Sequence, residues 1–413
     1  MWIEDVEGNH YLDAAGSVHV VSIGHGVAEV AQAMAAQANT LSFASSRFFV
    51  NGPQLELAEL VAGLAPDALN GCYFASGGSE AIELALQIAA YYQSQEGMPS
   101  RHKFIGQWRS YHGATMATIS LGGHYAHRER IGPNLIEFPH LQATPAEGAD
   151  SAEFASALDA LIRQEGPSTV CALVVEPITG TTSGAIVPPP GWWEGAARVC
   201  REHGVLLIAD EVVTGFGRTG RPFGIQHWDV QPDLMVSSKG ISSGYAPLAA
   251  IVVHDRIAST VQAADQRLPL RLTYSANPIS CAAGLTVQRI VQREGLMQRC
   301  AERGDYLMGM LNELSQRCPL IGVPRGKGLL IGLPIWKDAP SMVPFSREEN
   351  IQGRIVTTAL QQGLLIVGGT GSDKSRNGDH VMVSPPFTIS GPECDLLVEK
   401  LESVLEEVAR EAI

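Results

Sequence analysis

The segment "DLMVSSKGISSGYAPLAA" (Asp233–Ala250) places a single lysine, Lys239, directly after an apolar run. The run Leu234–Val236 has the composition of a buried strand, and serines and a glycine surround the lysine. Lysine is rarely buried unless it is paired or reactive. Lys239 is therefore either a surface-loop residue or a reactive amine that attacks a carbonyl group to form a Schiff base.

Similar apolar runs alternate with helical patterns through the middle of the chain, and several are apolar on both faces, as strands of a covered parallel sheet are. The predicted strands are Cys72–Phe74, Phe104–Gln107, Val170–Val175, Val205–Ala209, Leu234–Val236 and Leu248–Val253. The helical patterns between them are Glu80–Tyr92, Phe154–Gln164 and Trp192–His203. This alternation predicts an α/β fold whose large domain has an open, mainly parallel sheet.

The pattern changes after about residue 285, where a smaller α+β domain is predicted. A helical stretch, Ala282–Leu314, precedes short apolar strands, a loop-like segment at Gly368–His380 and a helix at Pro392–Ala412. The N-terminal "MWIEDVEGNHYLDAAG" predicts a hairpin that pairs with this second domain. We predict that residues 1–40 and 285–413 form the small domain and residues 41–284 the large, cofactor-binding domain.

Composition limits the classes of function. The 413 residues are 45% hydrophobic and 17% charged, which indicates a compact globular protein. The net charge of −14, from 29 basic and 43 acidic residues, argues against nucleic acid and anionic membranes as partners. Seven dispersed cysteines without metal-ligand spacing, and an N-terminus without a signal-peptide core, predict a cytoplasmic protein with reduced thiols. No apolar run approaches the roughly 18 residues that span a bilayer.

Two glycine-containing turns follow predicted strands, at the sheet edge where ligands bind in open α/β folds. In Ser76–Ser79, the free amides of Gly78 and Ser79 at a helix start favour a bound phosphate. The alternative is that Ser79 merely caps the helix. Tyr111 and His112 follow the next strand, where the tyrosine ring either stacks on a flat cofactor or packs at the edge of the core.

Acidic residues end two further strands. Glu176 follows one apolar run, and its carboxylate needs a partner, in either a structural or an active-site role. Asp210 and Glu211 end the other, where ionised acids must face a positive group such as a protonated ring nitrogen, a lysine or an arginine. Arg218 is a candidate structural partner for an acid. Metal binding is the rival interpretation, but no histidine or second acidic cluster lies nearby, so we predict no metal.

These residues supply a phosphate site, a stacking ring, an acid and a reactive lysine in chain order. That set fits pyridoxal 5′-phosphate, whose aldehyde bonds to a lysine and whose ring nitrogen pairs with an acid.

The sequence resembles the class III, ω-transaminase-like aminotransferases of the aspartate-aminotransferase-like fold (fold type I) over nearly its whole length. The similar segments are "IEDVEGNHYLDAAG", "SGGSEAIELAL", "YHGAT", "EPITG…VPPPGWW", "LLIADEVVTGFGRTGRPFG", the lysine segment and "LTYSANPISCAAGL". The resemblance implies ping-pong transfer of an amino group from an amine or amino acid to a keto acid, pyruvate or 2-oxoglutarate. A lyase, decarboxylase or epimerase of the same family is the alternative, and a non-catalytic protein of this fold is a third.

The resemblance also implies the roles of individual residues. Lys239 is expected to form the internal aldimine and move the substrate proton, and Asp210 to keep the pyridine nitrogen protonated. Thr273 is expected to reach the phosphate of the neighbouring subunit, which implies an obligate homodimer with sites at the interface. Val212 and Tyr111 are expected to pack on the two ring faces. The full set of expected cofactor-binding residues is Gly78, Ser79, Tyr111, His112, Glu176, Asp210, Val212, Lys239 and Thr273.

The substrate site departs from the family pattern. Thr181 and Met382 stand where many relatives carry an acid and a carboxylate-binding arginine. Arg376, near the place of a swinging arginine in related enzymes, is a candidate clamp for a substrate carboxylate or else a solvated loop residue. Arg47 is a second candidate, and Phe48 beside it is expected to line the pocket.

Overall fold

The structure, a computed structural model, describes residues 1–144, 150–263, 272–370 and 378–412. Within these ranges a seven-stranded sheet forms the centre of the larger part. Ala249–Val253 runs antiparallel to both of its neighbours, and the other six strands are parallel to one another. The strand order is Gly71–Ala75, Ala249–Val253, Leu234–Ser237, Leu206–Asp210, Val170–Val175, Lys103–Gln107, His140–Leu141. The predicted α/β fold with a mainly parallel sheet is confirmed.

Helices cover both faces of this sheet, because successive strand residues point to opposite sides. Leu173 and Val175 pack with one group of helices, whereas Ala172 and Val174 pack with another. None of the helices in the described parts of the chain is both long and apolar enough to cross a membrane. The helices are Ala28–Thr40, Gly52–Leu64, Gly78–Gln95, Met116–Leu121, Tyr125–Ile131, Ser151–Glu165, Trp192–His203, Asp255–Ala263, Pro278–Arg293, Leu296–Arg317, Ile351–Gln361 and Gly391–Ala412, with 3₁₀ turns at Gly132–Asn134, Gly224–His227, Lys239–Ile241 and Arg347–Glu349.

Two smaller sheets bring the N- and C-terminal segments together. A four-stranded antiparallel sheet has the order Arg325–Lys327, Leu330–Ile335, Asp379–Val383, Val367–Thr370. The N-terminal hairpin, Trp2–Glu4 with His10–Asp13, is extended in parallel by Leu364–Leu365. One buried cluster joins Leu12 and Val30 to Leu307 and Leu401. The predicted division at residues 40 and 284 stays a proposal. Residue 284 lies inside the helix Pro278–Arg293, and Ala246 and Ala283 from the predicted large domain share this cluster.

Two predictions for the C-terminal part need correction. The single helix predicted at Ala282–Leu314 is two helices, Pro278–Arg293 and Leu296–Arg317, because Gly295 adopts a left-handed conformation with φ 62° between them. The segment Gly368–His380, predicted as a loop, lies in strands at both of its ends. Its central residues 371–377 fall outside the described ranges.

A left-handed turn follows the N-terminal hairpin. Gly16–His19 has φ angles of 52°, 47°, 66° and 64°. Left-handed backbone costs an L-residue about 1–2 kcal/mol, so three consecutive non-glycine residues there need outside support. The Asp13 carboxylate provides part of it, accepting hydrogen bonds from the amides of Ala15 and Ser17 at 3.2 and 3.1 Å.

Arg218 ties three parts of the chain together. Its guanidinium donates hydrogen bonds to the carbonyls of Val21, Leu329, Ser384 and Pro385 at 2.7–3.2 Å. Burial lowers the pKa of Arg218 to about 10, which leaves it charged at neutral pH. Backbone carbonyls of the N- and C-terminal segments, rather than the acid suggested by the sequence, accept its hydrogen bonds.

Candidate active site

Lys239 and Asp210 lie at the same edge of the central sheet. Their strands, Leu206–Asp210 and Leu234–Ser237, pair in parallel with Asp210 opposite Val236. Lys239 follows with φ 40° and begins a 3₁₀ turn. The strand pairing therefore brings the lysine and the acid to one site, as predicted from their positions at strand ends.

The environment of Lys239 favours a neutral amine more than water does. Burial lowers the pKa of Lys239 to about 8; the charge of Arg218 adds to this effect, and the carboxylates of Asp210 and Glu176 oppose it. An amine whose pKa is near 8 is a far better nucleophile at neutral pH than an ordinary lysine, because more of it is unprotonated.

Asp210 is 4% exposed, and a histidine holds it in place. His112 Nδ1 donates a hydrogen bond to Asp210 Oδ2 at 2.7 Å, and the Val212 amide donates to Oδ1 at 3.0 Å. Burial disfavours the charged form of His112, but the hydrogen bond and charge of Asp210, with the charge of Glu176, raise its pKa overall. Asp210 is thus oriented by two donors at the end of its strand.

Glu176 connects two loops of the site. Its Oε1 accepts a hydrogen bond from the Gly180 amide at 2.9 Å, and its Oε2 accepts one from the Tyr111 amide at 3.2 Å. Burial raises the pKa of Glu176 to about 7. Glu176 therefore has a structural role, as a bridge between two loops, and this bridge also fixes the backbone of Tyr111, a residue proposed for the active site. Tyr111 is 40% exposed.

The helix Gly78–Gln95 begins at the same edge with its first amides free. Gly77 is its N-cap and has no side-chain cap. Ser79 therefore does not cap the helix; its Oγ instead accepts a hydrogen bond from the Ala114 amide at 3.0 Å. A methyl group on Gly113 would lie 2.4 Å from Ser79 Oγ, and one on Gly78 would lie 3.2 Å from the Val212 methyls. The three loops leave a tight, amide-lined cradle that suits a phosphate.

Three further residues predicted for the site, Arg47, Phe48 and Thr273, are exposed in the single chain. Thr273 is exposed in the turn before Pro278–Arg293, and Arg47 is exposed in a turn with Phe48. The rings of Phe43 and Tyr274 meet edge to face, with centroids 5.9 Å apart. The Arg47 and Thr273 segments are therefore neighbours on one face of the chain.

Of the other positions considered for substrate binding, Thr181 and Met382 lie within the described residues. Arg376 lies outside the described residues. Met382 is fully buried, and it packs with Ile178, Ala185 and Leu330 beneath the Thr181 loop. Met382, where the resemblance led us to look for a carboxylate-binding arginine, is thus part of an apolar core.

Two histidines that the sequence did not single out hold Thr181. His19 Nε2 lies 3.1 Å from Thr181 Oγ1, and His380 Nε2 lies 2.6 Å from the Thr181 carbonyl oxygen. His19 stands in the apolar sequence "GSVHVV" and is 162 positions from Thr181, so no local pattern indicates the contact.

Comparison with known proteins identifies the family. Residues 1–405 match the family model described as aminotransferase class-III. The chain belongs to the class-III aminotransferases. A relative, the uncharacterized aminotransferase YodT of Bacillus subtilis (strain 168), is 37% identical over 406 residues, covering 96% of this chain and 91% of that protein.

Two further relatives of this class-III aminotransferase also match over nearly the whole chain. The diaminobutyrate–2-oxoglutarate transaminase of Halomonas elongata is 34% identical over 422 residues, covering 98% of this chain and 88% of that protein. The crystal structure of a transaminase from the marine bacterium Virgibacillus superposes with a TM-score of 0.95 at 32% identity, covering 99% and 91% of the two chains.

The enzyme is a transaminase, and its cofactor, like that of its family, is pyridoxal 5′-phosphate. The residues of the site fit this group. The amide-lined cradle at Gly78 and Ser79 suits the phosphate, while the aspartate and the lysine with a lowered pKa stand at the same edge. His112 Nε2, buried and without a hydrogen-bond partner among the described residues, adds a polar atom beside that space.

Proposed function

We propose that this transaminase moves an amino group from an amine or amino acid to a keto acid by a ping-pong mechanism. The observation that carries the proposal is the pairing of Lys239, with its pKa lowered to about 8, and the oriented carboxylate of Asp210. The relative named for diaminobutyrate and 2-oxoglutarate supports 2-oxoglutarate as acceptor, with pyruvate as the other keto acid to test.

Lys239 and Asp210 have different proposed roles, the first as the covalent anchor and base and the second as the partner of the ring nitrogen. When bound, pyridoxal phosphate supplies an aldehyde that bonds to amines and a protonated ring that accepts an electron pair from the substrate carbon. Lys239 Nζ would hold the cofactor through its aldehyde carbon and would be released when a donor amine takes its place. The released amine would then serve as the base that accepts and returns the substrate proton. Asp210 would keep a proton on the ring nitrogen, and His112 holds Asp210 in position.

The remaining cofactor-binding residues are proposed to bind and orient pyridoxal phosphate. Gly78 and Ser79 would donate their amides to the phosphate, and Tyr111 and Val212 would pack on the two faces of the ring. Glu176 positions Tyr111 through its amide. The free amides of the Gly78–Gln95 helix support the phosphate assignment.

A second copy of the chain is proposed to complete the site, with Thr273 reaching the partner's phosphate. An exposed apolar patch around Thr273 supports this homodimer, because monomers rarely leave large hydrophobic side chains clustered in water. Arg47 and the segment containing Arg376 remain the proposed binders of substrate carboxylates, and Phe48 the proposed pocket residue. The patch comprises Leu41, Phe43, Phe48, Phe49, Val50 and Tyr274.

We also propose a cytoplasmic location. All seven cysteines are free thiols in the structure, which supports a reducing compartment.

A panel of donors and acceptors tests the reaction directly. The holoenzyme is mixed with single amines or amino acids, and the cofactor spectrum is followed without any acceptor. A transaminase donor converts the cofactor to its amine form, and pyruvate or 2-oxoglutarate then restores the aldehyde form. Release of a lyase or decarboxylase product with an unchanged cofactor spectrum would overturn the proposal.

Gly113→Ala is expected to weaken cofactor binding roughly ten- to a hundredfold, because the added methyl group would displace Ser79. Titration of the apoenzyme with pyridoxal phosphate measures the affinity. Gly97→Ala is the matched control, since Gly97 also has a positive φ of 79° but nothing lies within 4 Å of an added methyl group. Equal losses of affinity in the two variants would show that backbone strain alone weakens binding. Such a result would contradict a phosphate site formed by the close contact of Gly113 with Ser79.

A further inference from the structure

His19 is the centre of a directional hydrogen-bond chain. The Ser384 hydroxyl donates to the Ala15 carbonyl at 2.8 Å, so its oxygen accepts from His19 Nδ1 at 2.6 Å. With the proton on Nδ1, the neutral ring presents a lone pair at Nε2, which accepts from the Thr181 hydroxyl at 3.1 Å. Every proton in the chain from Thr181 to Ala15 therefore has a defined acceptor.

The surroundings keep this imidazole neutral. His19 is 1% exposed, and burial lowers its pKa well below the usual value, an effect to which the nearby charges of Lys239 and Arg218 add. The hydrogen-bond direction therefore stays the same throughout the neutral pH range.

The contacts of His19 join the left-handed turn to the wall of the active site. Thr181 follows Gly180, whose amide binds Glu176, the acid that also holds Tyr111. On the other side, the Ser22 amide donates to Ser243 Oγ at 2.8 Å, in the segment that begins at Lys239. His19 thus lies between two segments that are both anchored at the site.

We propose that His19 is a positioning residue for the substrate: it fixes the Thr181 hydroxyl, and with it the loop of residues 178–185, beside Lys239. The backbone strain of the turn supports this role, because three consecutive left-handed L-residues persist only where the surroundings hold them. The Thr181 hydroxyl donates to His19, and Met382 beneath the loop is apolar. The guanidinium of Arg325 holds the far end of the loop through the Gly184 carbonyl at 2.7 Å. The Thr181 end has no charged side chain among these contacts, and in the proposed role it faces the neutral part of the amine donor.

Two variants test the contact from its two sides. His19→Asn keeps a short polar group near Ser384 but does not reach Thr181, and asparagine tolerates the positive φ of 64° at this position. Thr181→Val removes the hydroxyl at nearly constant shape. Each single variant is expected to raise the donor KM roughly three- to tenfold, the cost of one hydrogen bond, with kcat and cofactor affinity changed less than about twofold.

The double variant decides between positioning and general structural damage. If the two residues act through one hydrogen bond, the donor KM of the double variant equals that of the single variants within about twofold. Multiplied effects, an unchanged donor KM, or a loss that appears only in cofactor affinity and melting temperature would each overturn the role. The inference rests on the proposed donor half-reaction, and failure of that reaction would already show in the wild-type holoenzyme as a cofactor spectrum that no donor converts.

Discussion

Lys239→Ala is expected to abolish the visible absorbance of the lysine-bound cofactor and to lower kcat by at least about 10²- to 10⁴-fold, the contribution of a positioned general base. The variant loses both the covalent anchor and the amine that moves the proton. Absorbance spectra and single-turnover rates measure the two effects. Lys337→Ala, which removes a lysine paired with Glu349 in the small domain, is the matched control and is expected to keep the wild-type spectrum and rate.

The same lysine sets the expected pH dependence of the donor half-reaction. Burial lowers the pKa of Lys239 to about 8, and only its neutral form accepts a proton. The rate is therefore expected to fall as pH decreases below about 8 and to level off above it. Stopped-flow rates across this range test the assignment. The residual rate of Lys239→Ala must lack this dependence; if it keeps the same pH profile, another group is the base.

Asp210→Asn is expected to lower kcat about 10²- to 10³-fold, a loss typical of removing one preorganised electrostatic partner of the reacting centre. The neutral amide no longer holds a proton on the ring nitrogen, and the pKa of His112 falls because its charged partner is gone. Steady-state rates at saturating donor measure the loss.

Glu211→Gln is the control for Asp210→Asn, because it neutralises the next acid along the chain. Glu211 is fully buried, but its carboxylate accepts hydrogen bonds from the Gly224 and Ile225 amides at 2.8 and 2.7 Å, away from the cofactor edge. We expect this variant to unfold at a lower temperature while its rate stays near that of the wild type. A rate loss as large as that of Asp210→Asn would show that buried charge in general, rather than the Asp210 carboxylate, supports catalysis.

The parts predicted well from sequence are those whose signals are local. Apolar runs such as Val170–Val175 identify strands because both of their faces are buried, and the rule that ligands bind beyond parallel strands then points to Asp210 and Lys239. The break at Gly295 has a local signal, because glycine commonly follows the last turn of a helix, but a single glycine is also tolerated within a helix, so the sequence does not decide between one helix and two.

The parts that sequence could not predict depend on contacts between distant segments. The hydrogen bond between His19 and Thr181 and the set of carbonyls around Arg218 exist only once the N-terminal, central and C-terminal segments have come together. Ser79 shows the same limit at short range, because its hydroxyl could cap the helix in isolation but binds the Ala114 amide in the folded chain.

The side chain of Arg218 donates its hydrogen bonds to backbone carbonyls, and this affects how the protein tolerates mutation. A backbone carbonyl is present whichever amino acid occupies a position, so changes at Leu329 or Val21 keep an acceptor for the guanidinium as long as the backbone path is unchanged. Arg218 itself has no such freedom, because lysine cannot replace its planar array of donors. These hydrogen bonds thus require Arg218 itself but no particular residue at the carbonyl positions. The Phe387 ring, whose centroid lies 4.7 Å from the guanidinium, is a contact that does depend on residue type.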